Sequence, residues 1–229
     1  MSKFLYLISP EKITNHKIFL KKLELVFASN IIKFFQLRIK NQKKTKIILL
    51  GTWRGEAGES WNPQFSTFLQ VIISLGKKII KLTKKYKVNF IINDDPYIAK
   101  ILNADGCHLG QQDMSISFAK KILKKNSIIG ITCHNSKILA SKAFVNKASY
   151  VAFGAFYRTK TKKVKYRAKL SLIKWAKKNI KKPIVAIGGI NQKNYEKILN
   201  AGANYIACSA CVWKSGMKNP LTAVNMFKK

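Results

Sequence analysis

All four aspartates of this chain, Asp94, Asp95, Asp105 and Asp113, fall between Phe90 and Met114. The chain otherwise carries 44 Lys and Arg against nine acidic residues, a formal net charge of +35, so short carboxylates gathered in one window invite a chemical reading. Asn93 and Asp94 close the β-rich run "NFIIN", and Asp113 stands three residues beyond the next one, "GCHLG". Neighbouring parallel strands lie about 4.8 Å apart, so the two carboxylates can meet over one end of a sheet. Such a pair, with open positions beside a phosphate ligand, suits Mg²⁺. The other two aspartates read as structural. Asp95 precedes Pro96, the pattern of an N-cap with proline at the first helical position. Asp105 belongs to "ADG", a turn leading into the following strand at the opposite end.

Cationic and hydroxyl groups extend the pattern. Gln36, Arg38 and Lys40 alternate along "FFQLRIK", so all three point to one face. Large polar groups on a buried strand need partners, either an anionic ligand or the aspartates themselves. The loop "YRTKTKK" (157–163) offers the hydroxyls of Thr159 and Thr161 beside Lys162, a donor-rich anion loop or a solvated basic one. Gly188 and Gly189 in "IGGIN" mark a strand-to-helix turn, which exposes backbone N–H groups to a phosphate or simply turns tightly. His108 and His134 read as hydrogen-bonded structural histidines. No side-chain nucleophile stands out.

These groups need a scaffold. Eight short apolar runs, 4–8, 34–39, 89–93, 106–110, 128–132, 150–156, 184–189 and 205–209, alternate with helix candidates at 11–28, 77–87, 96–103, 115–125, 136–147, 170–179, 192–201 and 219–228. In 170–179, Leu172, Ile173, Trp175 and Ala176 form an apolar stripe opposite Lys174, Lys177 and Lys178. Strands without polar alternation, linked by helices, predict a buried parallel sheet. Eight such units over 229 residues predict a single-domain (β/α)₈ TIM barrel with a parallel eight-stranded core. A doubly wound open sheet is the alternative, but its Gly-rich fingerprint is missing after the first strand. Functional groups in a barrel sit at the C-terminal strand ends, which suits the residues above. Residues 45–75 exceed what a crossover needs and read as a neutral surface insertion, with a lid over the barrel mouth as the alternative.

Composition narrows the class. No apolar run reaches membrane-span length, and "MSKFLYLISP" has too short an apolar core for a signal peptide, so a cytoplasmic protein is expected. Cys107, Cys133, Cys208 and Cys211 then read as free thiols. "CSAC" lies in a strand-like apolar run, which argues against a redox or metal role. Lysine is spread along the chain and Arg occurs only at 38, 54, 158 and 167, so the charge reads as compositional bias more than as a nucleic-acid footprint.

In order along the chain, "QLRIK" (36–40), "INDD" (92–95), "ADGCHLGQQD" (104–113), "GITCH" (130–134), "TKTK" (159–162) and "IGGI" (187–190) resemble the thiamine-phosphate synthase family. The resemblance covers the whole chain except the insertion. It implies a Mg²⁺-dependent transferase of thiamine biosynthesis. Such enzymes condense 4-amino-2-methyl-5-hydroxymethylpyrimidine diphosphate with a thiazole phosphate, releasing diphosphate. By this resemblance Asp94 and Asp113 hold Mg²⁺, while Gln36, Arg38, Lys40, Asn93 and Lys162 bind the pyrimidine diphosphate. Thr132 lies beside pyrimidine and diphosphate, at a position often held by Ser. Arg38, Lys40, Lys162 and Thr132 are the implied catalytic groups, and Thr159, Thr161 and Gly189 bind the thiazole phosphate.

Three features depart from the pattern. Ala210 stands where the family usually has Ser, with Ser209 one place earlier, so these two complete the implied phosphate site through the backbone. Arg158 replaces a usual Pro, and the insertion follows Lys40. The implied partners are small phosphorylated molecules, with no membrane, no dedicated nucleic-acid role and room for a homo-oligomer. The alternatives are a thiazole tautomerase of the same fold, which would need a catalytic histidine, and a basic nucleic-acid-binding protein.

Overall fold

Apolar strands that alternate with amphipathic helices bury both faces of a parallel sheet, and here the sheet closes on itself. β1 (Leu5–Ile8), β2 (Ile32–Leu37), β3 (Asn89–Asn93), β4 (Gly106–Leu109), β5 (Ile128–His134), β6 (Tyr150–Phe153), β7 (Ile184–Ile187) and β8 (Tyr205–Cys208) form a closed barrel in chain order. All neighbouring pairs are parallel, including β8 with β1. The structure is a computed structural model and describes residues 3–38, 63–159, 164–214 and 219–228. The helices are α1 (His16–Phe27), α2 (Pro63–Lys85), α3 (Pro96–Ile101), α4 (Ile116–Ile122), α5 (Lys137–Val145), α6 (Leu170–Asn179), α7 (Tyr195–Asn200), α8 (Ala210–Trp213) and α9 (Pro220–Asn225). The predicted (β/α)₈ barrel is therefore the observed fold.

The period-two geometry of the strands divides the core in two. One set, including Leu7, Phe35, Phe90, Cys107 and Ile206, packs outward against the helices. The other, including Tyr6, Phe34, Ile91, Tyr150, Val185 and Ala207, fills the barrel interior. Toward the N-terminal strand ends the filling is aromatic: the Phe34 ring lies 5.2 Å from Tyr6, 5.9 Å from Tyr150 and 5.0 Å from Tyr205. Rings of this size remove large apolar areas from water, roughly 1.5–3 kcal/mol for a Phe-sized side chain.

The same end is stitched by a recurring device. Asp105, Ser149 and Asn204 each stand immediately before an even-numbered strand and accept a backbone N–H from the strand preceding it. Phe90 N–H donates to Asp105 Oδ2 at 2.6 Å, Ile129 N–H to Ser149 Oγ at 2.9 Å and Ile184 N–H to Asn204 Oδ1 at 2.9 Å. Since Ser and Asn do the same work, this position needs an acceptor, not a charge. Asp95 caps α3 as expected, accepting from Tyr97 N–H and Ile98 N–H at 2.9 Å each.

Several elements differ from the sequence expectation: α1 starts at His16 instead of 11, and β6 ends at Phe153 instead of 156. α2 starts at Pro63 instead of near 77, so 63–75 belong to the crossover helix. Ile72, Leu75 and Ile79 continue one buried stripe through it. The remaining residues read as an insertion, 45–62, lie outside the described residues. The strand-like run "YIACSACVW" splits into β8 and the short α8, so Cys208 and Cys211 bracket a strand-to-helix turn. All four cysteines are free, as expected. β2 opens two residues earlier than its predicted start.

Candidate active site at the barrel mouth

At the C-terminal strand ends, β2, β3 and β4 bring the polar residues of the sequence pattern together. Gln36 lies inside the barrel and donates through Nε2 to Asn93 Oδ1 at 3.1 Å, so these two side chains fix one another across β2 and β3. Arg38 follows the last residue of β2. Its backbone N–H donates to Ser9 Oγ at 2.9 Å, and that hydroxyl donates to the Arg38 carbonyl at 3.0 Å, tying the exit of β2 to the end of β1. Asp94 takes a left-handed backbone, φ 64°, and its N–H donates to the His108 carbonyl at 2.7 Å. This turn sends the carboxyl across toward Asp113, whose Oδ2 accepts the Gly110 N–H at 2.7 Å.

The two carboxylates share one field. Removal from water on the barrel side and the adjacent Asp113 push Asp94 up to about 7, against the opposing pull of the Arg38 guanidinium. Such a pair is poised to accept a cation, which would remove the repulsion. Among the described residues no group of three or more His, Cys, Asp or Glu converges on one point. The donor set is therefore two hard carboxylate oxygen donors. That fits Mg²⁺, which binds through one or two carboxylates and fills its octahedron with water and phosphate oxygens.

Thr132, on β5, faces the same space. Its hydroxyl meets His108 Nε2 at 2.9 Å, and His108 Nδ1 meets the Tyr150 hydroxyl at 2.9 Å. Tyr150 in turn meets the Tyr6 hydroxyl at 2.8 Å. Burial lowers His108 to about 4, so its imidazole is neutral. Both ring nitrogens are engaged, as the structural reading of this residue expects. His134 lies at a register shift between β5 and β6, has φ 51°, and stacks on Tyr166 with centroids 4.3 Å apart. Gln111 Nε2 donates to the Thr132 carbonyl and anchors the β4–α4 loop to β5.

The opposite side of the mouth is built from glycines. Gly188 and Gly189 have φ 100° and 67°. A Cβ at Gly188 would lie 2.3 Å from the Ala155 Cβ, and one at Gly189 2.4 Å from the Arg158 carbonyl oxygen. The β7–α7 turn can therefore lie flat on the loop after β6, with Tyr157 N–H donating to the Gly188 carbonyl at 2.9 Å. Thr159 continues that loop. Ser209 donates through its hydroxyl to the Ser9 carbonyl at 3.0 Å, and Ala210 opens α8. Lys40, Thr161 and Lys162 lie outside the described residues.

Sequence reasoning missed Tyr6, Tyr150, Ser9 and Gln111. The two tyrosines sit in apolar runs indistinguishable from ordinary core strands. Gln111 carried a signal, since it falls inside the "GQQD" stretch, but nothing local indicates that it reaches β5.

The family model described as "Thiamine monophosphate synthase" matches residues 69–212. A thiamine-phosphate synthase of Pelagibacter ubique is 48% identical over 226 residues, covering 99% of this chain and 96% of the relative. One from Hyphomonas neptunium is 33% identical over 223 residues, covering 97% and 91%. The solved structure of a thiamine phosphate pyrophosphorylase from Pyrococcus furiosus superposes with a TM-score of 0.76 at 25% identity, covering 99% of this chain and 94% of that one. A 3-hexulose-6-phosphate synthase structure shares the fold, with a TM-score of 0.62 at 13% identity. By its barrel, its ordered motifs and a relative alike over nearly its full length, this chain belongs to the thiamine-phosphate synthase family.

Proposed function

We propose that the barrel mouth joins 4-amino-2-methyl-5-hydroxymethylpyrimidine diphosphate to a thiazole phosphate, giving thiamine phosphate and diphosphate. The observation that carries this reading is the Asp94–Asp113 pair, which shares one field with the Arg38 guanidinium. Departure of diphosphate breaks the bond between the pyrimidine methylene carbon and oxygen, and the electron pair leaves with the oxygen. The thiazole nitrogen then supplies the pair that forms the new C–N bond. No protein nucleophile is consumed.

The side chains divide this work. Arg38, Lys40 and Lys162 neutralise the charge that develops on the departing oxygens. The Gln36–Asn93 pair is already held in place and orients the pyrimidine diphosphate without further ordering. Asp94 and Asp113 would hold Mg²⁺, which supplies charge neutralisation and a template for the diphosphate. Thr132 offers its hydroxyl beside the pyrimidine and diphosphate. Thr159, Thr161 and Gly189, with the backbone at Ser209 and Ala210, bind the thiazole phosphate. A tautomerase reading has less support, because His108 is neutral with both nitrogens engaged and is not free to act as a base.

The test is direct. Purified protein given both substrates and Mg²⁺ should form thiamine phosphate and release one diphosphate per product. Asp113→Ala should lower turnover by roughly tenfold or more, since even the loss of outer partners at metal sites reaches that size. Correctly folded protein that makes no thiamine phosphate would sink the proposal.

A further inference from the structure

We infer that His108 is a positioning residue that aims the Thr132 hydroxyl outward as a hydrogen-bond donor, at the end of a one-way chain Tyr6–Tyr150–His108–Thr132 rooted in the barrel floor. The inference rests on the reading that Thr132 faces the diphosphate substrate.

The direction of the chain follows from counting protons. A neutral imidazole has one donor and one acceptor, so its two bonds must run the same way. In one arrangement Thr132 donates to Nε2, Nδ1–H donates to Tyr150, and Tyr150 donates to Tyr6. The Tyr6 proton then has nowhere to go. The Tyr6 side chain is buried among Phe34, Ile91 and Val185, and among the described residues its hydroxyl meets one partner, Tyr150. An unused buried donor carries the full cost of its lost hydration. In the opposite arrangement Tyr6 donates to Tyr150, Tyr150 to Nδ1, and Nε2–H to Thr132 Oγ1. Every buried proton is then used, and the Thr132 proton alone is left over, at the mouth. Diphosphate presents only acceptor oxygens, so the floor of the barrel selects the hydroxyl orientation the substrate requires.

Packing holds the chain in register. The His108 and Tyr150 rings stack with centroids 5.6 Å apart and planes 15° from parallel. A Cβ at Gly130 would lie 1.9 Å from Tyr150 Cζ, so the absent side chain there is what admits the ring. Threonine adds a stiff χ1, which limits the rotamers the hydroxyl can visit.

Two measurements test this. ¹⁵N NMR of histidine-labelled wild-type protein resolves three imidazoles, with His108 assigned by its loss in His108→Gln. The proposal requires the Nε2–H tautomer; the Nδ1–H tautomer overturns it. In kinetics, Gln places an amide N–H near the Nε2 position and Asn near Nδ1. His108→Asn should lower kcat about tenfold with little change in KM, while His108→Gln stays within about threefold of wild type. Thr132→Val should match the Asn loss, and combining it with His108→Asn should add nothing further. Equal losses in Asn and Gln, or multiplied losses in the double variant, overturn the positioning role. If Thr132→Val keeps wild-type turnover, the substrate-facing reading of Thr132 fails and the inference with it. Loss of thiamine phosphate formation in the wild type would instead remove the proposed function, a distinct outcome.

Discussion

Asp94→Asn should alter how the stability of the metal-free protein depends on pH. Asn tolerates a left-handed backbone better than most residues, so the substitution removes a titrating group while sparing the turn at φ 64°. In the wild type, burial and Asp113 raise this carboxyl from 3.8 to about 7. Between those values the native state keeps a proton that the unfolded chain has already released. The associated stability is thus fully present below the unfolded value and is lost as pH rises toward 7. Taken at face value the displacement corresponds to roughly 4 kcal/mol. The Asp94 carboxyl is shielded from water on the barrel side but the residue is open at the mouth, where water and salt screen the pair, so roughly 1–2 kcal/mol is expected. His108, pushed by burial from 6.5 to about 4, acts in the opposite sense over a similar range. It is common to both proteins and cancels in their difference. Urea unfolding followed by circular dichroism, in EDTA between pH 4.5 and 8, gives that difference directly. The stability of Asp94→Asn relative to wild type should grow toward pH 8 by the stated amount, and Mg²⁺ should shrink the gap. A difference that does not change with pH would refute the reasoning.

Two further outcomes follow from the floor and the stitching. Asp105→Ala should cost about 1–3 kcal/mol in unfolding free energy by orphaning the Phe90 N–H, whereas Asp105→Asn should recover most of it, with turnover per folded molecule intact in both. Gly130→Ala should lower stability by about 1–3 kcal/mol and, by displacing the Tyr150 ring, also lower kcat; unchanged near-ultraviolet circular dichroism and unchanged kcat would contradict this.

Much of the site is legible in the sequence because its chemistry is local. The Asp95–Pro96 pair announces a helix cap, and the "ADG" turn announces Asp105 as structural. Asp94 and Asp113 stand at strand ends, where a parallel barrel collects its functional groups. What escaped depends on distance along the chain. Tyr6 and Tyr150 are 144 residues apart, and nothing around either records that their hydroxyls meet. The early start of α2 was hidden because its first turns lack the lysines that mark the outer faces of other helices. The Cys208–Cys211 turn was hidden because an apolar strand and an apolar helix joined by one small residue, Ser209, with no charge, Gly or Pro between them, read as one run.

The aromatic packing of Phe34 with Tyr6, Tyr150 and Tyr205 makes the barrel a vessel with one door. A reaction that takes in two molecules and yields two must then run all its traffic through a single opening. Depth sets the queue: whichever reactant sits lower enters before its partner, and whatever is left beneath the other product waits for it to go.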